Sequence, residues 1–358
     1  MIFIRFLLFP FSLLYGLVII MRNIAYDYGV LKSTTYPVPV ILIGNLAIGG
    51  AGKSPMIAYL VKKLSDRYNI AVISRGYGRK TTGFVLAHKD ALATEIGDEP
   101  LQLKKKYPNV TVAVCEDRVK GINELVTDHT LILMDDGYQH RAVKPGLSIL
   151  LYDFNTMFNM QWLLPTGNLR EPLYGSKRAD IIIVTKTSKN LTQRDRLRSV
   201  LRIKPYAHQQ VFFSYLKYGN LHHLYDKGVR RTLASITKKT PIFLLTGIAN
   251  AGSLLNKLRM YSDVIHHHQY PDHHSYTEKN ILALIRMYKN LGAVNSLIIT
   301  TEKDAQRLRM PAFNHLLNNV AIYYIPVQTV MHNLDEQALD ARLTRFFNEA
   351  ALSNENCS

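Results

Sequence analysis

From Val38 onward the chain alternates short, nearly continuous apolar runs with segments whose apolar residues recur every three to four positions. "VPVILIGN" is the first such run, and "GKSPMIAYLVKKLSDRY" reads as the amphipathic helix that follows it. "IAVIS", "VTVAV", "TLILMDD", "LSILLYD" and "IIIVTK" are further runs of strand length. Strands without polar alternation are covered on both faces, the pattern of a parallel sheet between helices. Strand–helix alternation of this kind predicts a doubly wound α/β unit. After about Phe213 the texture changes: "SYLKYGNLHHLYDKGVRR" is polar, aromatic and turn-rich, and is expected to carry the chain out of the first domain. A smaller α/β domain is predicted from "PIFLLTGIAN", a helix through Leu258, "DVIHHHQYPDHH", a helix over Thr277 to Asn290, "SLIITTEKDAQRL" and "VAIYYIP". A last helical segment, near Leu334 to Phe347, is expected to return to the first domain. The expected division is 1–25, an N-terminal hydrophobic helix; 26–215, the main domain; 216–327, the smaller domain; and 328–358, the returning helix.

In the N-terminal segment, Arg5 and Arg22 flank an apolar run from Phe6 to Met21. As a helix that run is roughly 24 Å long, short of the ~30 Å hydrocarbon core of a bilayer. Pro10 is expected to interrupt it, and no small-x-small cleavage site follows, which disfavours a removable signal peptide. An interfacial anchor, a marginal single span and a buried helix all remain open, with the flanking cations and aromatics favouring the membrane options. The whole chain of 358 residues carries 44 Lys+Arg against 27 Asp+Glu, a formal charge of +17. That balance points to an anionic partner: nucleic acid, an acidic membrane surface or a phosphorylated substrate. Cys115 and Cys357 provide no disulfide framework, so a reducing compartment is the simpler expectation.

The strongest local chemistry lies in "VPVILIGNLAIGGAGKSP". A strand ends, Gly49, Gly50 and Gly52 follow, and Lys53-Ser54 open a helix. A phosphate needs close approach of backbone N–H groups, and the helix N-terminus adds favourable polarity. Residues Ala47, Ile48, Gly49, Gly50, Ala51, Gly52, Lys53 and Ser54 form the expected cradle, with Lys53 on the β- and γ-phosphates and Ser54 on Mg²⁺. The strict pattern has glycine where this chain has Ala47, and a glycine-rich turn with a stray lysine is the alternative. "TLILMDDGYQH" then supplies Asp135 and Asp136 at a strand end, where a carboxylate can hold Mg²⁺ directly or through water. The two motifs together predict a P-loop NTPase-like sheet with an Mg-nucleotide site. Guanine-specific enzymes use Asn-Lys-x-Asp after a late strand; "IVTKTS" has Thr185-Lys186 and no aspartate, which favours ATP over GTP.

In order along the chain, "GNLAIGGAGKSP", "SRGYGR", "IGDEPLQL", "DDGYQHR", "LPTGNLREPL", "YPDHHSYT" and "TTEKDAQRL" resemble the tetraacyldisaccharide 4'-kinase family of Gram-negative bacteria, over roughly Val38 to Leu308. "DDGYQHR" and "LPTGNLREPL" are more specific than the phosphate loop. The resemblance implies a membrane-associated P-loop kinase, with a nucleotide-binding core and a smaller α/β domain joined by a hinge. It transfers the γ-phosphate of ATP to the 4'-hydroxyl of a tetraacylated glucosamine disaccharide 1-phosphate. It also implies that Asp98 is the base, assisted by the histidine matching Asp272-His273. On sequence alone "GDEP" is a helix cap followed by a first-turn acid. Glu99, beside Asp98, joins Ser54, Asp135 and Asp136 as a metal candidate.

The histidine-rich "HHHQYPDHHSY" invites a zinc reading, but His266, His267 and His268 fall on a predicted strand. Alternate residues there point opposite ways, so all three cannot face one metal. Arg75 and Arg79 of "SRGYGRK" and Arg170 of "NLREP" are expected on ATP phosphates or the substrate's 1-phosphate, where guanidinium makes paired hydrogen bonds; solvated surface arginines are the alternative. The sequence thus predicts an ATP- and Mg²⁺-dependent lipid kinase, peripheral or monotopic on the cytoplasmic face of the inner membrane. Anionic lipids and a phosphorylated substrate, rather than nucleic acid, then account for the positive charge. A nucleic-acid-associated P-loop ATPase is the main rival, though no nucleic-acid-reading motif is present. A nucleotide-dependent membrane scaffold is the other.

Overall fold

A computed structural model of the chain describes residues 7–226, 228–290, 296–318 and 320–355; Arg5 and Cys357 lie outside them. Among the described residues fifteen strands form two sheets. The larger contains β1 (Val40–Gly44), β2 (Ile70–Ser74), β3 (Val85–Leu86), β4 (Thr111–Val114), β5 (Leu131–Asp135), β6 (Leu147–Asp153), β7 (Ile181–Thr185), β8 (Gln210–Tyr218) and, last in sequence, β15 (Val327–Met331). Its order is β15-β8-β7-β6-β1-β5-β2-β4-β3. Seven strands from β8 to β4 run parallel, and β15 and β3 close the edges antiparallel. Strands β1, β2, β5 and β7 are buried at every position, which is why their sequences are apolar throughout. Strand order departs from β1 in both directions, placing a topological switch point at its C-terminal end, where open α/β sheets bind ligands.

The smaller sheet holds β9 (Leu221–His223), β10 (Arg230–Arg231), β11 (Ile242–Thr246), β12 (Ile265–Gln269), β13 (Leu297–Thr301) and β14 (Ile322–Ile325), in the order β10-β9-β14-β13-β11-β12. The helices that matter below are α1 (Phe9–Asp27), α2 (Lys53–Leu64), α3 (Asp98–Lys106), α4 (Gly252–Arg259), α5 (Glu278–Asn290), α6 (Glu302–Leu308) and α7 (Asn333–Glu355). α2 buries Met56, Ile57, Leu60, Val61 and Leu64 on one face of the large sheet. Leu339, Leu343 and Phe346 bring α7 into the same core.

Two expectations are corrected. "SYLKY" does not leave the first unit: β8 continues through Tyr218 because β15 pairs along it, from Ser214↔Met331 to Tyr218↔Val327. The chain crosses between sheets at Gly219 and returns at Pro326, and Gly219 N donates to Pro326 O at 2.9 Å. Nor does Pro10 break the N-terminal helix. It sits in the first turn of α1, where a missing N–H costs nothing.

One face of α1 is fastened to the large-sheet unit by polar side chains. Ser12 Oγ meets Thr166 Oγ1 at 2.7 Å, Tyr15 donates to Arg170 O at 2.6 Å, and Arg22 donates to Gln139 O at 2.8 Å. Asp27 accepts from Arg141 at 2.6 Å and Lys177 at 3.0 Å. The opposite face leaves Leu7, Phe11, Leu14, Val18 and Met21 exposed.

Candidate functional site

β1 delivers the chain to the glycine loop. Gly52 takes φ +86°, a conformation that side-chain-bearing residues rarely adopt, and turns the chain directly into α2. At the start of any helix the first amides lack intrahelical acceptors, so those of Lys53 and Ser54 are available to an anion. Two residues brace the loop from behind. Thr185 Oγ1 donates to Ala51 O at 2.7 Å, while Lys186 reaches Gly50 O and pairs with Asp153 at 2.7 Å. Thr185 and Lys186 therefore hold the cradle's shape.

Lys53 Nζ donates to Asn45 Oδ1 at 2.9 Å and lies 3.4 Å from Asp136. Arg170 Nη1 donates to both oxygens of Asp136, at 2.9 and 3.0 Å. Burial opposes the charge on Asp136, but Lys53 and Arg170 hold its carboxyl below the usual carboxylate range. Asp135 differs. Burial, then the charges of Glu99 and Asp136, push its carboxyl up to about 7, and its Oδ1 is buried without a partner among the described residues. A small cavity of about 20 Å³ joins Asp135, Ser54 and Glu99. Three hard oxygen donors around such a space, one of them an orphaned carboxylate oxygen, fit Mg²⁺, which takes few protein ligands and completes its shell with phosphate and water.

Across the cleft, Asp98 opens α3 directly after Gly97, whose φ of +89° brings the backbone against Tyr77 O. Asp98 Oδ2 lies 3.3 Å from His273 Nδ1 and accepts from Arg307 Nε at 2.8 Å and Nη2 at 2.6 Å. Burial opposes its charge, yet the hydrogen bonds from His273 and Arg307 keep the carboxyl below the usual carboxylate range. Lys303 Nζ sits 3.0 Å from His273 Nε2 and 3.1 Å from Glu99 Oε1. An ammonium only donates, so these partners assign Nε2 as acceptor and Nδ1–H as donor to Asp98. Tyr77 packs against the imidazole, with ring centroids 4.7 Å apart.

Arg307 is in turn held by Asp304, which is fully buried. Asp304 accepts from Arg307 Nη1 at 2.9 Å, Tyr276 OH at 3.1 Å, Gly247 N at 3.0 Å and Thr301 Oγ1 at 2.7 Å. In the sequence "TTEKDAQRL" carries the family resemblance and, without it, reads only as a helix cap. Thr301 does cap α6, but the same turn also aims Lys303 and Arg307 at the cleft. Only the spacing of Lys303 and Arg307, one helical turn apart, signalled this.

A cleft of about 910 Å³ is lined by Lys53, Ser54, Glu99, Asp136, His273 and Lys303 from both sheets, and also by Arg75 and Arg170. Arg118 and His140 line it as well and escaped the sequence reading. Burial and the charge of Arg118 push the His140 imidazole down to about 4. Of the four described non-glycine residues with positive φ, three, Asp136, Lys186 and His273, line this cleft, as expected where function over-determines the backbone. The expectation for Arg79 is corrected. Its guanidinium donates to Glu116 Oε1 and Gly83 O, each at 2.6 Å, and braces a loop instead of lining the cleft. The His266–His268 run lies on β12, where His267 Nε2 meets Thr246 Oγ1 at 2.8 Å and His266 stacks on Phe243.

A nucleotide cradle beside an acid–imidazole pair that joins the two sheets places the protein among the P-loop kinases. The pattern of the tetraacyldisaccharide-1-P 4'-kinase family matches residues 4–348, and the chain belongs to that family. It is 42% identical over 333 residues to the tetraacyldisaccharide 4'-kinase of Bacteroides thetaiotaomicron, covering 90% of this chain and 87% of that one. With the namesake protein of Flavobacterium psychrophilum it shares 40% over 349 residues, covering 96% and 97%. The crystal structure of LpxK from Aquifex aeolicus in complex with ATP superposes with a TM-score of 0.72 at 27% identity, over 96% of this chain and 99% of that one.

Proposed function

We propose that this chain transfers the γ-phosphate of ATP to the 4'-hydroxyl of tetraacyldisaccharide 1-phosphate, forming lipid IVA in lipid A biosynthesis. The observation that carries the reading is the contact between Asp98 and His273, which joins the two sheets at a cleft that also holds Lys53. Lys53, Ser54 and the loop amides hold the triphosphate. Adenine takes the apolar part of the cleft, to which Leu216, Tyr218, Leu254, Ile325 and Val327 contribute. Ser54, Asp135 and Glu99 would hold Mg²⁺, which would neutralise charge on the phosphate oxygens.

The acceptor oxygen attacks the γ-phosphorus, the bond to the bridging β,γ-oxygen breaks, and ADP leaves. The hydroxyl proton passes to Asp98. Among the described residues every hydrogen bond to this carboxylate uses Oδ2, which leaves Oδ1 for the acceptor. A carboxylate below its ordinary pKa is a weak base, which suits a phosphoryl transfer whose transition state is loose and takes the proton late. Arg75 and Arg170 face the anionic groups of ATP and substrate. The nucleotide-binding core spans 26–218 and the smaller domain 219–326, with closure pivoting on Gly219 and Pro326. The 328–358 segment returns to the core.

In this reading α1 lies in the interface of the inner membrane on its cytoplasmic side. Its bonded face rests on the large-sheet unit and its apolar face meets lipid, an arrangement that disfavours a span. Anionic lipids, not nucleic acid, account for the charge of +17. The test is purified protein with ATP and tetraacyldisaccharide 1-phosphate in mixed micelles, followed by mass spectrometry. A product heavier by one phosphate at the 4' position is expected, and its absence at saturating Mg²⁺ overturns the proposal.

A further inference from the structure

Beside the phosphate loop lies a second cavity, of about 970 Å³, that the reaction leaves unused. It shares Ile48, Gly49, Gly50 and Ala51 of the loop, and Ala249 and Asn250, with the catalytic cleft, so the two spaces adjoin along the loop. The two differ in chemistry. Lys53, Arg75, Arg118, Arg170 and Lys303 line the cleft, whereas among the described residues no lysine, arginine or histidine lines the second cavity. Its one acid, Asp153, is neutralised by Lys186 at 2.7 Å. Its apolar walls come from Leu46, Met157, Met160, Trp162 and Leu169, with Phe9 contributed by α1, and uncharged amides such as Asn45, Asn159, Gln161 and Asn168 line the remainder. Phe9 and Trp162 meet edge to face at 5.5 Å, and Met160 is 77% exposed. Cavity, Phe9 and the outward face of α1, with Leu7, Phe11 and Leu14, thus form one apolar surface leading to the phosphate loop.

We propose that this cavity takes one fatty-acyl chain of the lipid disaccharide whose hydroxyl is phosphorylated in the adjoining cleft, an inference that rests on the function proposed above. A ligand with phosphate at one end and hydrocarbon at the other is sorted by two adjoining spaces, one lined by cations and the other free of them among the described residues. With adenine in the cleft as proposed above, the cavity is left to the lipid. Each buried methylene is worth roughly four-fold in affinity, so a chain seated here contributes strongly to substrate selection.

Trp162 is the chain's single tryptophan and lines the cavity, so its fluorescence reports occupancy independently of turnover. A tetraacyldisaccharide 1-phosphate carrying bromine near its acyl termini is expected to quench Trp162 saturably. A brominated detergent at equal bromine concentration is expected to quench it without saturation. Thr156→Phe and Asn159→Phe, which fill the cavity, are expected to abolish saturable quenching and raise KM for the tetraacylated substrate ten-fold or more. Their kcat, their KM for ATP and their turnover of a fully deacylated disaccharide 1-phosphate are expected to stay within two-fold. Equal loss on both substrates overturns the proposal, and so does quenching that ATP alone reproduces or displaces. Saturable lipid quenching in wild-type protein that phosphorylates no disaccharide would keep the acyl site and remove the kinase reading.

Discussion

Arg307 grips Asp98 by one oxygen only, donating to Oδ2 from Nε at 2.8 Å and from Nη2 at 2.6 Å. The two side chains come from different sheets and are 209 positions apart in the chain. Because His273 approaches the same oxygen, the carboxylate is fixed in rotation while its other oxygen stays open. Arg307 is therefore a positioning residue, and Asp304 beneath it is its anchor.

Replacing Arg307 by lysine keeps the charge and removes the fork. A charge-assisted hydrogen bond contributes about 1.5–3 kcal/mol, so kcat is expected to fall roughly 10- to 100-fold. KM for ATP should be little changed. Steady-state kinetics decide the matter: lost ATP affinity with an intact kcat would place Arg307 on the nucleotide instead.

Asp98→Asn and His273→Gln are each expected to lower kcat by about 10²- to 10⁴-fold, the range for a positioned proton acceptor. Since they act as a unit, the double variant should be no worse than the weaker single variant to within about three-fold. Multiplicative losses in a double-mutant cycle would show two independent roles.

Asp135→Asn conserves shape and removes charge at the cavity shared with Ser54 and Glu99. The Mg²⁺ concentration for half-maximal activity is expected to rise about ten-fold or more, with much of the maximal rate recovered at high Mg²⁺. A Mg²⁺ titration at fixed ATP reads this out. An unchanged midpoint would take Asp135 out of the metal shell.

Gly97→Ala places a methyl 2.8 Å from Tyr77 O at a φ of +89°. A cost of about 1–3 kcal/mol in unfolding free energy is expected, measured in urea, together with lost activity because Asp98 is the next residue. Wild-type stability in this variant would mean the turn relaxes.

His140 supplies a pH dependence. Its imidazole is pushed down to about 4 by burial and the charge of Arg118, whereas the unfolded chain titrates near 6.5. Between these values the unfolded state binds the extra proton. Stability from neutral His140 is therefore complete above about pH 6.5 and is lost as pH falls toward 4. Thermal unfolding across that window should be steeper in pH for wild type than for His140→Gln; parallel curves would refute it.

Much of the architecture was legible because its signals are local. Glycine spacing marks the phosphate loop, and uninterrupted apolar runs mark strands buried on both faces. Arg307 and Lys303 were not legible in the same way. Their meaning depends on α6 lying against α3, a contact between segments about two hundred residues apart. Arg79 misled for the converse reason: a glycine-hinged arginine loop looks anion-binding until Glu116 is seen to claim the guanidinium.

By itself, the sequence determined the glycine loop that opens α2 and the parallel strands buried on both faces, since each is written in neighbouring residues and backbone preference, whereas Asp98 and His273 stood out only through the family resemblance. Tertiary structure alone decided which oxygen of Asp98 stays free, that α1 is bonded along one face, and that a second cavity adjoins the phosphate loop. Those outcomes depend on how two sheets hang from paired crossings at Gly219 and Pro326. Contacts across such a junction follow from the geometry of whole layers, which no short stretch of chain encodes.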